Sequence, residues 1–226
     1  MTSSMIEQLI LDNPSFHQLP DGSPVNWSVC PDVLRYIGDI ATEGMITLET
    51  GAGQTTVAFA LSGTNHFCVT PDANQIRLIK EYSVTLGVDQ NITFLRGGSD
   101  DVLSCWQGLP DRLDFIFIDG AHRFPYPILD WHFSHHRLAI GGLFGIDDTF
   151  VPSIKVLYDF LKIEDEWSLV QEIGRAAFFR LLDKPEVGRD HHDQKFNQVT
   201  FPSAVLTAGR RHMARLLRKF GRTLTG

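Results

Sequence analysis

The order of apolar runs predicts an α/β protein built on a mostly parallel sheet covered on both faces, and three observations carry the prediction. Short apolar strands recur at 45–49, 66–70, 92–95, 113–118 and 142–146, with helix-compatible stretches between most of them. The runs Phe115–Ile118 and Leu143–Ile146 are almost continuously apolar, as suits strands buried on both sides. Several of the strands also end in a polar or glycine-rich turn, and in an open α/β sheet ligands bind beyond such carboxyl ends.

Taken in order, residues 4–11 read as a short helix followed by a loop or cap with Pro14, Pro20, Pro24 and the turn-like Asp21-Gly22-Ser23. Val33, Leu34, Ile37 and Ile40 have helical spacing and predict a helix over 31–42, stopped before Gly44. Strand 45–49 leads into a glycine turn and a helix from Thr55. Strand 66–70 precedes a helix near 73–86, with Ile76, Ile79 and Tyr82 on one face. Strand 92–95 ends at Arg96-Gly97-Gly98-Ser99-Asp100, and strand 113–118 at Asp119-Gly120. A helix near 125–138 follows, then strand 142–146, ending at Asp147-Asp148, and a helix near 153–163. Residues 167–171 and 177–182 flank Gly174-Arg175 and read as an antiparallel hairpin. Residues 184–203 are polar and irregular, and a basic helix is expected over about 204–220.

Composition narrows the function. A chain of 226 residues, 43% hydrophobic, suits one α/β domain with small additions. The net charge of −7 argues against nucleic acid as a partner. Residues 205–226 carry six basic side chains and no acid, so residues 1–204 hold −13. That terminal helix suits a docked contact on the acidic domain, a homo-oligomer contact or peripheral contact with an anionic membrane. Cys30, Cys68 and Cys105 lack metal-type spacing and read as free thiols of a cytoplasmic protein. There is no secretory signal and no transmembrane-length apolar run.

The turn Leu-Glu-Thr-Gly-Ala-Gly-Gln-Thr-Thr at 48–56 is the most informative segment. Gly51 and Gly53 permit a sharp bend and close approach to a ligand, and the following helix start offers free N–H groups. Glu49 at the strand end suits ribose hydroxyls or an amine. A dinucleotide fingerprint wants a third glycine where this chain has Thr56, and a phosphate loop wants a lysine that is absent. An NAD(P)-dependent oxidoreductase is therefore disfavoured. A non-catalytic module that binds a nucleoside cofactor stays open, as does a glycine turn with no ligand.

Together with Phe94–Ser99, Phe117-Ile118-Asp119-Gly120-Ala121-His122 and Gly141–Thr149, this turn resembles the class I methyltransferases that use S-adenosylmethionine, over residues 45–182. The most similar branch acts on small molecules and sugars through oxygen. The resemblance implies a Rossmann-like, doubly wound sheet of about seven strands, mostly parallel with the last antiparallel. It implies domains of 1–30 (N-terminal helix and cap), 31–183 (S-adenosylmethionine binding) and 184–226 (polar loop and basic helix). It places Glu49, Gly51, Ala52 and Gly53, with the neighbouring Thr50 and Thr55, at the methionine and ribose parts of the cofactor. Gly98, Ser99 and Asp100 fall near the adenine. The family often has an acid at the end of strand two, where this chain has Thr70, and Gly-Asp-Ser after strand three, where it has Gly97-Gly98-Ser99. Asp72 or Asp100 then stands in, although either also suits a helix N-cap.

The acceptor side is read from acids. Asp119 ends strand four, and Asp147 and Asp148 end strand five; if those strands are neighbours, three carboxylates together call for a proton or a cation. Mg²⁺ or another divalent ion suits oxygen donors, and some members of the family use such acids to hold one; helix capping by Asp147 or Asp148 is the alternative. His122 is the candidate base, alongside Asp119, or else it fixes a loop. Phe124 and Tyr126 wall a substrate pocket or pack in the core. The expected activity is O-methylation of a small hydroxylated acceptor.

Overall fold

The computed structural model describes residues 2–184 and 189–199. The chain forms two compact units, one of residues 1–162 with 166–185 and one of 163–165 with 186–226. In the second, residues 195–199 are helical, the Phe196 N–H donates to Glu164 Oε1 at 2.8 Å, and Lys195 pairs with Asp165. The basic helix expected over 204–220 lies outside the described residues.

The first unit holds a seven-stranded sheet of β1 (Ile46–Thr50), β2 (Asn65–Thr70), β3 (Ile92–Arg96), β4 (Leu113–Ile118), β5 (Leu138–Ile146), β6 (Trp167–Ile173) and β7 (Ala176–Leu181). Its order is β3-β2-β1-β4-β5-β7-β6. All pairings are parallel except those of β7, which runs antiparallel to both β5 and β6. This is the Rossmann-like α/β sheet that the sequence predicts. The strand order reverses between β1 and β4, so the crevice of an open sheet opens at their carboxyl ends.

The strands alternate their side chains between two apolar layers. Phe115 and Phe117 of β4 join Phe59 and Phe178 on one face, under α1 (Thr2–Asp12), α2 (Pro31–Ile40), α3 (Gln54–Leu61) and α4 (Ala73–Leu86). Ile116 and Ile118 join Phe144, Ile146 and Phe179 on the other, under α5 (Ser99–Cys105), α6 (Tyr126–Ser134) and α7 (Pro152–Ile163). Helix α3 is buried at every position, which explains why Val57–Leu61 are apolar without a polar face.

Three differences from the sequence reading have local causes. The helix expected to 138 ends at Ser134 and passes through a 3₁₀ turn at His135–Arg137. β5 accordingly begins at Leu138, because Leu138 pairs with Leu113 across a register shift. α5 is a helix of seven residues that offers too few apolar positions for a period to show. Residues His17–Gln18 and Pro24–Val25, read as part of a loop, form a short antiparallel ribbon.

Candidate active site

A cleft of about 860 Å³ opens at the carboxyl ends of β1, β2 and β4, at the reversal of strand order. Its floor is the turn after β1. Gly51 has φ +87°, and a Cβ there would lie 2.1 Å from the Asp119 carbonyl oxygen. The Gly51 N–H donates to Val69 O at 3.0 Å, and the Asp119 N–H to Thr50 O at 2.9 Å. The turns after β1 and β4 therefore interlock at a point where only glycine fits.

Beneath this floor lies a buried polar knot. Both oxygens of Glu49 are taken: Oε1 accepts from Thr55 Oγ1, and Oε2 from Thr56 Oγ1 at 2.5 Å, with His66 Nε2 at 3.3 Å. Cys68 Sγ donates to Gly51 O at 3.1 Å, and burial pushes this thiol well up. The sequence places Glu49 at the ligand, whereas the structure directs its carboxylate into this knot. The residue has no exposed surface and does not line the cleft, because hydroxyls of the first turn of α3 claim its carboxylate. Thr50 is also turned away, its hydroxyl donating to Asp130 Oδ2 at 2.8 Å. Thr56, at the third-glycine position of a dinucleotide fingerprint, belongs to the same knot and accepts from the Gly53 N–H at 3.0 Å.

The other candidates come together on the cleft wall. Gly51, Ala52, Gly53 and Thr55 line it along the turn. Gly98, Ser99 and Asp100 line it at the start of α5, and Asp72 at the start of α4. Asp72 is also the α4 N-cap, its Oδ1 accepting from the Asn74 and Gln75 N–H groups at 2.9 and 3.1 Å. Asp119, His122, Asp147 and Asp148 gather at the far end, with Tyr126; Phe124 is exposed and outside the lining.

That far end is a charge cluster. His122 Nδ1 stands 3.2 Å from Asp148 Oδ2, and its Nε2 3.6 Å from Asp119 Oδ1, longer than a hydrogen bond. Arg175, in the β6–β7 turn, reaches Asp148 Oδ1 at 3.1 Å and Asp147 Oδ2 at 3.9 Å. Asp148 holds φ +52°, a left-handed conformation that Asp tolerates better than most residues. Burial pushes Asp119 up to about 7, with His122 pulling it down and the charges of Asp147 and Glu49 raising it. Asp147 is raised for the same first reason. His122 is raised by Asp119 first, against its own burial, and by Asp148 and Asp147. The donor set fits a divalent ion poorly. The three aspartates do not bring their oxygens within 4.8 Å of one another, and the positive charge beside Asp147 and Asp148 comes from Arg175.

Several cleft residues escaped the sequence reading. Arg175 was legible only as a hairpin tip, although an antiparallel return strand brings that tip beside the end of β5 (Ile146 pairs with Ala177). His17, Trp27 and Gln75 line the cleft from segments without a motif. Asp130, buried behind the cleft and bonded to Thr50, carries no signal beyond its place on α6.

Comparison with known proteins agrees with this anatomy. Residues 48–149 match the family described as a methyltransferase domain. No curated protein matches the sequence. Among solved structures, Rv0187 from MTB with cofactor bound is 12% identical, with a TM-score of 0.62 over 81% of this chain and 90% of that one. The O-methyltransferase TomG from Streptomyces achromogenes, involved in tomaymycin synthesis and solved with SAM, is 13% identical at TM-score 0.60, over 80% and 90%. An O-methyltransferase from Bacillus cereus in complex with SAH is 15% identical at 0.59, again over 80% and 90%. At such identities the solved structures speak for the fold, and the family match speaks for the domain. Residues 48–149 thus match a methyltransferase domain, and the fold around them is the one shared by these solved structures.

Proposed function

We propose that the protein transfers a methyl group from S-adenosylmethionine to a hydroxyl of a small acceptor, with His122 as general base. The observation that carries this reading is the imidazole held between Asp148 and Asp119, on the same cleft wall as the glycine turn. S-adenosylmethionine would be held by the turn after β1, by Asp72 and by Gly98, Ser99 and Asp100, and would supply the methyl group at the end of the cleft where Asp119, His122, Asp147 and Asp148 gather. An acceptor hydroxyl gives its proton to His122 Nε2 while the oxygen forms its bond to the methyl carbon and the carbon–sulfur bond breaks. The Nδ1 proton rests on Asp148, and the imidazolium formed is stabilised by Asp148 and Asp119. Alignment of oxygen, methyl and sulfur accounts for much of the rate in such an in-line displacement.

No step runs through a metal, because the Arg175 guanidinium already faces Asp148 and Asp147, the carboxylates that a divalent ion would neutralise. The test is transfer of labelled methyl to a panel of hydroxylated acceptors, with and without chelator. Turnover that survives chelator and falls at least ~100-fold in His122→Ala supports the reading, a loss typical of a general base. Turnover that chelator abolishes and Mg²⁺ restores would overturn the metal-free part. Full turnover in His122→Ala would overturn the base.

A further inference from the structure

A relay of side chains crosses the cofactor end of the cleft and fixes the protonation of a histidine outside the motifs. Thr70, at the end of β2, donates its hydroxyl to Gln75 Oε1 at 2.9 Å. Gln75 Nε2 donates to the Ala52 carbonyl at 2.7 Å, which sets the amide orientation, since the flipped amide would face two oxygens together. The second Nε2 proton points at His17 Nδ1, 3.1 Å away. An amide nitrogen only donates, so Nδ1 accepts and the neutral ring carries its proton on Nε2. Burial lowers the proton affinity of His17, with Asp72 opposing, and so favours the neutral ring. Nε2 lies over the glycine turn, 3.8 Å from the position a Cβ of Gly53 would take. No hydrogen bond from Nε2 to the protein is found among the described residues, and His17 lines the cleft.

We propose that His17 is a cofactor-binding residue whose Nε2–H, presented by the Thr70–Gln75 relay, donates a hydrogen bond to an oxygen of the bound cofactor. That oxygen belongs to a ribose hydroxyl or to the amino-acid carboxylate. The relay starts from the very threonine that stands where the resembling family often has an acid. It thus replaces an acceptor at the end of β2 with a donor delivered from the N-terminal ribbon.

The inference rests on S-adenosylmethionine filling this cleft, and calorimetry on the full chain separates the two claims. S-adenosylhomocysteine and adenosine are titrated into wild type, His17→Ala, His17→Asn and His17→Gln, each checked for an unchanged melting curve. His17→Asn keeps an acceptor for Gln75 and loses the outward donor, whereas His17→Gln supplies a donor near the Nε2 position. We expect His17→Ala and His17→Asn to bind S-adenosylhomocysteine about tenfold more weakly, the scale of one hydrogen bond, and His17→Gln to recover most of the loss. A parallel loss for adenosine assigns the ribose; a loss confined to S-adenosylhomocysteine assigns the carboxylate. Rescue by Asn instead of Gln, or His17→Ala within twofold of wild type, would overturn the role of His17 alone. A wild type that binds no S-adenosylhomocysteine would overturn the cofactor assignment itself.

Discussion

At the scale of single residues, the site depends on Gly51 and on the aspartates around His122. A methyl group at Gly51 would meet the Asp119 carbonyl at 2.1 Å in a backbone conformation, φ +87°, that Ala adopts at a cost. Gly51→Ala is expected to lower stability by about 3 kcal/mol, a size reserved for strained or clashing backbone, and to remove cofactor binding. Thermal unfolding and calorimetry check both. At Asp148 the prediction concerns pH. His122 acts as a base only when neutral, and its carboxylate neighbours raise its pKa above the usual 6.5. The acid limb of kcat/KM should therefore fall above pH 6.5, with activity rising as pH increases through it. Asp148→Asn tolerates the same φ and removes one negative charge, so the limb should move to lower pH. A limb that stays in place would remove Asp148 from the set of groups acting on His122.

At the scale of elements, the strands and most helices were legible because their apolar periods are long and their turns carry Gly, Pro or Asp. Strand 113–118 was read to the residue. The glycine turn was legible as a sharp bend for the same local reason: Gly51, at φ +87° and with no room for a Cβ, is demanded by backbone geometry that sequence displays. The orientation of Glu49 was not. Whether a carboxylate at a strand end faces the cleft or the core is decided by the hydroxyls that reach it, and Thr55 and Thr56 come from the next element. Arg175 and His17 were missed because their meaning is set by strand order and by a ribbon of two-residue strands. The knot under α3 makes a prediction of its own. Thr56 Oγ1 donates to Glu49 Oε2 and accepts from the Gly53 N–H, so it ties the helix start to both the strand and the turn. Thr56→Val keeps the shape and leaves buried polar groups without partners. A loss of about 2 kcal/mol in denaturant unfolding is expected, together with weaker cofactor binding. An unchanged unfolding midpoint would mean that Thr55 and His66 suffice to hold Glu49.

At the scale of the whole molecule, the chemistry of the cleft opposes the stability of the fold. Burial raises Asp119 from 3.8 to about 7 and Asp130 from 3.8 to about 6, and it raises Asp147 as well. For a raised carboxylate the native state holds a proton that the unfolded chain has already lost. Stability therefore falls as pH rises from about 4 through the native pKa, and the full cost is present above it. His135 works in the opposite sense. Its pKa is lowered to about 4 by burial, so its contribution is complete above 6.5 and is lost as pH falls towards 4. The carboxylate contribution can be isolated by comparing pH 8 with pH 5. Asp119→Asn and Asp130→Asn should each raise Tm at pH 8, by roughly 3 °C or more for a domain of this size, and the gain should shrink at pH 5. Only Asp119→Asn should also remove turnover, because Asp119 faces the imidazole, whereas Asp130 lies behind Thr50. Equal gains at both pH values would show that the amides stabilise by packing or hydrogen bonding and that the carboxylates carry no buried-charge cost.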